Sequence, residues 1–441
     1  MTTFPSLGIQ IPDLFLPNPN IDLQKWAVIA CDQFTSQPDY WEQVAEFVGP
    51  VPSTLHMILP EIFLGKSEEI SRTTSTQQKM REYLHSKVLV QNKGMVYVER
   101  AINGKNRRGL MLALDLEKYD FSKGSQSLIR ATEGTILDRL PPRIKIREKA
   151  SLELPHILVL IDDPEDLVIG CIEKNKESLP ISYDFDLMMS SGHLTGRLVQ
   201  SPELEKRVIE GLEKLAQTET FCRKYGVTPD RSVLLFAVGD GNHSLATAKS
   251  IWEKIKPAVG MDHPARYALV EIENVHDKGL SFEPIHRVLF NTKEDPTRAI
   301  RKYFGSDVTI APAENENAMK RIVNSGSSTG HCFGLITSNG FQIVSVKNPK
   351  SNLAVATLQE FLDSWIESGG VGQIDYVHGD DVVVELGSKP DNAGFYLAGM
   401  SKNDLFKTVL LDGSLPRKTF SMGEAQEKRF YMESRKIITE E

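Results

Sequence analysis

Three shortages bound the reading of this chain before any motif does. No apolar run approaches the ~20 residues that a membrane span needs, cysteine is scarce, and positive charge is not in excess. The first disfavours a membrane partner. The four cysteines, Cys31, Cys171, Cys222 and Cys332, are scattered, with no C-x-x-C pair and no histidine at metal-ligand spacing. They read as reduced thiols of a cytoplasmic protein. With 59 acidic against 51 basic residues the formal charge is -8. Such a chain has no general affinity for phosphate backbones, so nucleic acid is not an expected partner and any anion site must be local. The opening MTTFPSLGIQIPDLFLPNPN has neither a basic start nor a continuous apolar stretch, which argues against a secretory signal. The nucleotide fingerprints G-x-x-x-x-G-K-[ST] and G-x-G-x-x-G are missing, as are an internal repeat and a long Gly/Ser linker.

What remains is a globular composition, 40% hydrophobic and 25% charged over 441 residues, enough for two or three cores. Apolar strand candidates alternate with amphipathic helices, which predicts an α/β or α+β fold of mixed sheets and helices. Soft boundaries divide it into residues 1–125, 126–290 and 291–441. Strands are expected at Trp26 to Cys31, Met95 to Glu99, His156 to Ile161, Ser232 to Val238, Tyr267 to Ile272, Cys332 to Ile336, Phe341 to Val346 and Asp381 to Leu386. Helices are expected at Trp41 to Val48, Ser75 to Ser86, over DPTRAIRKYF and at Ala354 to Glu367. Another starts at Ser201-Pro202-Glu203, where serine caps, proline suits the first position and the acid suits the dipole; it should end near Tyr225-Gly226.

The stretch RSVLLFAVGDGNHSLATAKSIWEKIK carries the chemistry. An apolar run, Val233 to Val238, breaks at Gly239-Asp240-Gly241-Asn242-His243-Ser244, and Leu245, Ala248, Trp252 and Ile255 then recur at helical spacing. At a strand-to-helix turn glycines permit positive φ and close backbone approach, while the first helical N–H groups have no internal acceptor and attract anions. Asp240 would hold a metal, accept a proton or orient His243, which would donate to phosphate or act as acid or base. On a plainer reading Asp240 and Ser244 only cap the helix and the glycines only make the turn.

A second constellation is IRATEGTILDRLPPRIKIREKA. Its cations Arg130, Arg139, Arg143, Lys145 and Arg147 form the densest basic segment of an acidic chain, and a strand would put Arg143, Lys145 and Arg147 on one face, toward a polyanionic group or, more plainly, toward solvent. Glu133 and Thr135, beside Gly134, supply a carboxylate and a hydroxyl. GHLTGRL and EPIHRVL each set a histidine near an arginine, His193 with Arg197 and His286 with Arg287.

Taken in order, IRATEGTILDR with RIKIRE, GDGNHSLATA and EPIHRVLF, flanked by CDQFTSQPDYW and LPRKTFSMGEAQEKRFY, resemble the bacterial and archaeal family named domain of unknown function 1015. Its D-G-x-H core is similar to the D-G-H-H-R turn of archaeal free-serine kinases and, more distantly, to turns in ParB-type nucleotide-binding domains and sulfiredoxin. The resemblance implies a ParB/sulfiredoxin-like nucleotide-binding core flanked by α+β segments, a turn lying against nucleotide phosphates and a setting in serine metabolism. Asp240, Gly241 and His243 match the pattern, whereas Asn242 stands where histidine is common and Ser244 where arginine is common. The missing arginine removes a bidentate phosphate ligand, which Arg287, Arg197 or the Arg143 to Arg147 face would have to replace.

The expectation is a phosphoryl-transfer or phosphoester-cleaving enzyme for a small phosphorylated or hydroxylated metabolite of the serine or phosphoserine type, with Mg2+ at Asp240 and ATP or ADP as candidate cofactors. Asp240, His243 and Glu133 would be catalytic. Gly239, Gly241, Asn242, Ser244, Arg130, Arg143, Lys145, Arg147, His193, Arg197, His286 and Arg287 would bind phosphate or substrate. The competing expectation is a nucleotide- or metabolite-binding regulatory module without turnover. Sulfiredoxin-like redox chemistry lacks its cysteine in the turn.

Overall fold

Near-continuous apolar runs along the middle strands require a sheet covered on both faces, and the computed structural model, which describes residues 2–135, 140–327 and 329–439, contains one. It is a mixed α/β protein grouped into two compact units, Met1–Ser281 with Met422–Glu441, and Phe282–Ser421. Three segments were expected. The strands Met95–Ile102 and Lys105–Asp115 instead join Leu158–Ile161, Phe236–Asp240 and Tyr267–Asn274 in one sheet, so the first two segments share a core. The last residues return to it because Phe430–Tyr431 pairs with Val28–Ile29, and Arg435–Lys436 pairs with Leu152–Glu153.

Among the described residues the large sheet has eleven strands. Its order runs from Ile181–Asp186 and His193–Val199 through Met95–Ile102, Lys105–Asp115, Tyr267–Asn274, Leu158–Ile161 and Phe236–Asp240 to Ile129–Ala131 and Tyr119–Asp120. Two-residue periodicity sends Tyr97, Leu110, Leu112, Val270 and Ile272 to one face, where Leu245, Ala248 and Trp252 of the helix Asn242–Val259 cover them. Val96, Val98, Met111 and Leu269 go to the other, beneath Trp26, Trp41, Met80, Tyr83, Phe430 and Tyr431.

In the second unit a six-stranded antiparallel sheet, including His286–Phe290, Gly330–Thr337, Gly340–Lys347 and Ala393–Tyr396, packs Val288 and Ile336 with Met319, Val323 and Val383. Phe361 of the helix Ala354–Glu367 meets Phe395 at a centroid distance of 6.4 Å.

Several elements differ from the sequence expectation. Trp26 ends a short helix, Leu23–Trp26, before the strand Val28–Ile29. The Ser201-capped helix stops at Leu215, and a separate helix Thr218–Tyr225 reaches the left-handed cap Gly226. The β-branched run at Asp381 is helical, Asp380–Gly387, because two acidic residues occupy its first turn and its apolar side packs in the second core. The Arg143 to Arg147 segment, which a strand would have set on one face, lies instead in the helix Leu140–Arg147: its two prolines fall in the first turn, where missing N–H groups cost nothing. Among the described residues no helix is long and apolar enough to cross a membrane.

Candidate functional site

The strand Phe236–Asp240 ends at Gly241, whose φ of 78° is left-handed, and the helix begins at Asn242. A Cβ at Gly241 would stand 3.0 Å from Ile157 Cα, and one at Gly239 would stand 2.5 Å from Met422 Sδ, so both glycines answer close approach. Gly241 is the N-cap, and no side chain caps the helix. The capping role considered for Asp240 and Ser244 is therefore not the geometry found. Asp240 Oδ1 accepts the Gly241 N–H at 2.9 Å, while Oδ2 meets Lys428 Nζ at 3.0 Å. Burial opposes ionisation of Asp240, but Lys428, aided by His156 and the Gly241 N–H, outweighs it and holds the carboxyl below its usual range.

Asn242 ties the turn to the second motif. Its Oδ1 accepts the Thr132 N–H at 3.3 Å and its Nδ2 donates to Val238 O at 3.3 Å. Thr132 follows the strand Ile129–Ala131, which runs parallel to Phe236–Val238, so IRATEGT and GDGNHS are neighbours. Glu133 is half-buried beside this junction, and Thr135 Oγ1 is buried without a hydrogen bond among the described residues. Arg139 lies outside the described residues. His243 is half-buried, and its carbonyl accepts the Thr247 hydroxyl at 2.8 Å.

Ser244 faces a cavity of about 140 Å³. The wall combines apolar side chains, among them Met57, Leu59, Met80, Ile157 and Leu269, with Glu61, Arg143, Arg147, Glu153, His156 and Tyr431. Helical spacing puts Arg143 and Arg147 on one face, and Lys145 is turned away and exposed. Both arginines are paired, Arg143 with Glu61 and Arg147 with Glu153. Burial pushes the Glu61 carboxyl up, against the pull of Arg143, and Asp32 adds to the rise. Burial also works against the Glu153 carboxylate, but Arg435 and Arg147 outweigh it and hold it down. Ser244 Oγ lies 2.9 Å from His156 Nε2, and His156 Nδ1 lies 2.7 Å from Tyr431 Oη.

The remaining expected binders go elsewhere. Arg130 is buried and donates to the carbonyls of Ser127 and Ser232, both at 2.7 Å, closing the base of its loop. His193 lies between Asp186 at 2.7 Å and Asp184 at 2.8 Å, and Arg197 donates to Lys176 O at 3.1 Å. Their strand is separated from Phe236–Asp240 by four others in the sheet order, so neither reaches the turn. His286 and Arg287 belong to the second unit. His286 Nδ1 accepts the Leu397 N–H at 3.2 Å, and Arg287, fully buried, donates to Gln359 Oε1 at 3.2 Å.

His156, Lys428, Tyr431 and Glu61 were missed by sequence reasoning. Lys428 and Tyr431 stand in the noted LPRKTFSMGEAQEKRFY, and His156 heads an expected strand, but nothing local in the sequence marks their convergence. Among the described residues no group of three or more His, Cys, Asp or Glu side chains is placed to hold a metal ion. Asp240, the expected metal ligand, has one oxygen on an ammonium and the other on a backbone N–H, an environment that does not fit a protein-held Mg2+.

The two-unit mixed α/β fold with a glycine turn at a strand-to-helix junction defines the class of molecule. The chain belongs to the family described as protein of unknown function (DUF1015), whose family model matches residues 15–365. No curated protein matches it. In structure it is similar, at 10% identity, to a conserved hypothetical protein from Pyrococcus furiosus, with a TM-score of 0.37 over 74% of this chain and 95% of that one. It is similar at 11% identity to a free serine kinase in complex with AMP, with a TM-score of 0.37 over 74% of this chain and 91% of that one. Similarity to SbnI with a C-terminal truncation from Staphylococcus aureus stands at 10% identity and a TM-score of 0.36, over 71% of this chain and 82% of that one. Likeness at this level carries no argument about activity.

Proposed function

We propose that the protein is a phosphoryl-transfer or phosphoester-cleaving enzyme acting on a small hydroxylated or phosphorylated metabolite of the serine or phosphoserine type, with ATP or ADP as the candidate phosphoryl partner. The observation that carries this reading is the convergence of Ser244, on the first turn of the helix Asn242–Val259, with Arg143 and Arg147 on one cavity. Phosphoryl transfer asks mainly for positioning and for fixed positive charge, and a helix start with guanidinium groups supplies both. Lys428, anchored by Asp240 at the glycine turn, is a further fixed cation. Asp240 keeps that ammonium in place or accepts a proton from a hydroxyl; His243 serves as acid or base, and Glu133 adds a carboxylate from the adjoining loop. The charge is carried by these side chains.

The test incubates the protein with serine or phosphoserine, with and without ATP or ADP in Mg2+ buffer, while free phosphate and serine are followed. One pairing is expected to yield product with the wild-type chain and to lose it with Asp240→Asn.

A specific observation favours a second reading, a metabolite-binding regulatory module: both cavity arginines already have carboxylate partners, which an entering anion must displace. Under this reading no pairing turns over, yet a ligand at 100 times its dissociation constant raises stability by about 2.7 kcal/mol.

A further inference from the structure

We infer that Ser244 is a nucleophile and His156 its general base, so that the phosphoryl group passes through a covalent phosphoserine at Ser244; this rests on the phosphoryl-transfer reading and specifies its chemistry. Ser244 Oγ is 2.9 Å from His156 Nε2, within reach for proton transfer, and both side chains line the same cavity. The imidazole is oriented from behind. His156 Nδ1 is 2.7 Å from Tyr431 Oη, which accepts the Cys31 N–H at 3.2 Å. With its proton on Nδ1 and donated to Tyr431, His156 leaves Nε2 as the acceptor that the Ser244 hydroxyl needs. Tyr431 is fully buried and the two rings meet edge to face at 5.6 Å, so the imidazole is held by packing as well as by hydrogen bonds. Tyr431 is a positioning residue.

The step balances without an added oxidant or metal. Ser244 Oγ attacks the phosphorus of a phosphomonoester or phosphoanhydride, and the hydroxyl proton goes to His156 Nε2. The bond from phosphorus to the leaving oxygen breaks, and His156 returns the proton to that oxygen. Water, or the hydroxyl of an acceptor metabolite, then attacks the phosphoserine, gives its proton to His156, and Ser244 leaves with that proton restored. Arg143, on the same wall, is the guanidinium for the phosphoryl oxygens once they displace its Glu61 partner.

Diisopropyl fluorophosphate, a small phosphorus electrophile that loses fluoride, tests the nucleophile without knowledge of the substrate. The full chain is expected to take up one label, mapped by peptide mass spectrometry to Ser244. Labelling should vanish in Ser244→Ala and slow at least about a hundredfold in His156→Gln; Tyr431→Phe should shift the pH profile of labelling. Wild-type protein that stays unlabelled overturns the inference, whatever the variants do. Turnover of serine, phosphoserine, ATP or ADP is measured alongside. Turnover that survives in Ser244→Ala overturns the covalent step and leaves the phosphoryl-transfer reading standing. A labelled Ser244 without any such turnover keeps the nucleophile and its base and removes the phosphoryl-transfer reading.

Discussion

Lys428 Nζ lies 3.0 Å from Asp240 Oδ2, although 188 residues separate them in the chain. The pair is largely shielded, with 11% of the lysine side chain and 26% of the aspartate side chain exposed. Its attraction holds the Asp240 carboxyl below its usual value, so the contribution to stability is present above the unfolded carboxyl pKa and is lost as pH falls through the lowered folded one. Lys428→Met should cost about 1–3 kcal/mol at neutral pH, and the gap to wild type should close on acidification below about pH 4. Urea unfolding across pH measures this.

Asp240→Asn keeps an oxygen for the Gly241 N–H but sets an amide NH2 against the Lys428 ammonium and removes the charge. Turnover in the serine and phosphate assay should fall by about 10² to 10⁴, while unfolding free energy should drop by about 1–3 kcal/mol, as for Lys428→Met. Near-normal turnover would place the chemistry elsewhere.

Gly241→Ala should destabilise the protein by about 1–3 kcal/mol, since φ is 78° there and the new Cβ would meet Ile157 at 3.0 Å. Gly134→Ala, where a Cβ meets nothing within 4 Å among the described residues, should stay within about 0.5 kcal/mol. Paired melting curves decide it.

Glu273 is fully buried, and burial, reinforced by Glu271 and Asp277 against the pull of Arg107, pushes its carboxyl up to about 8. The folded protein therefore holds a proton that the unfolded chain releases near pH 4.5, and stability falls as pH rises from there to about 8. Glu273→Gln should flatten this decline. Unfolding free energies at pH 5, 6.5 and 8 check it; a slope unchanged by the substitution would be the contrary result.

Glu153 Oε1 accepts from Arg435 Nε at 2.7 Å and from the Leu269 N–H at 2.8 Å, and the two side chains are 4% and 1% exposed. Glu153→Gln leaves Arg435 buried without its counter-charge. A loss of about 3–5 kcal/mol is expected, larger than for Lys428→Met because both partners are more deeply shielded.

Local pattern alone placed much of the scaffold. Ala354 to Glu367 is helical over those very residues, and Cys332 to Ile336 and Phe341 to Val346 lie inside the observed strands. The expected strand before the glycine turn is shifted, Phe236–Asp240 in place of Val233 to Val238, because the ladder with Ile129–Ala131 begins only at Phe236. RIKIR misled because alternating Arg and Ile satisfies period two, yet the same five residues set Arg143 and Arg147 four apart on a helix.

By itself the sequence determined the strand, glycine turn and helix around GDGNHS, because apolar periodicity and one positive-φ glycine, Gly241, act over a few neighbouring residues. Tertiary structure alone decided what meets there. His156 reaches Ser244 across 88 residues, Tyr431 reaches His156 across 275, and Lys428 reaches Asp240 through a C-terminal segment that returns to pair with Val28–Ile29. Such contacts are set by sheet order and by which face of a buried sheet needs cover, and those are properties of the whole chain that no window of sequence contains.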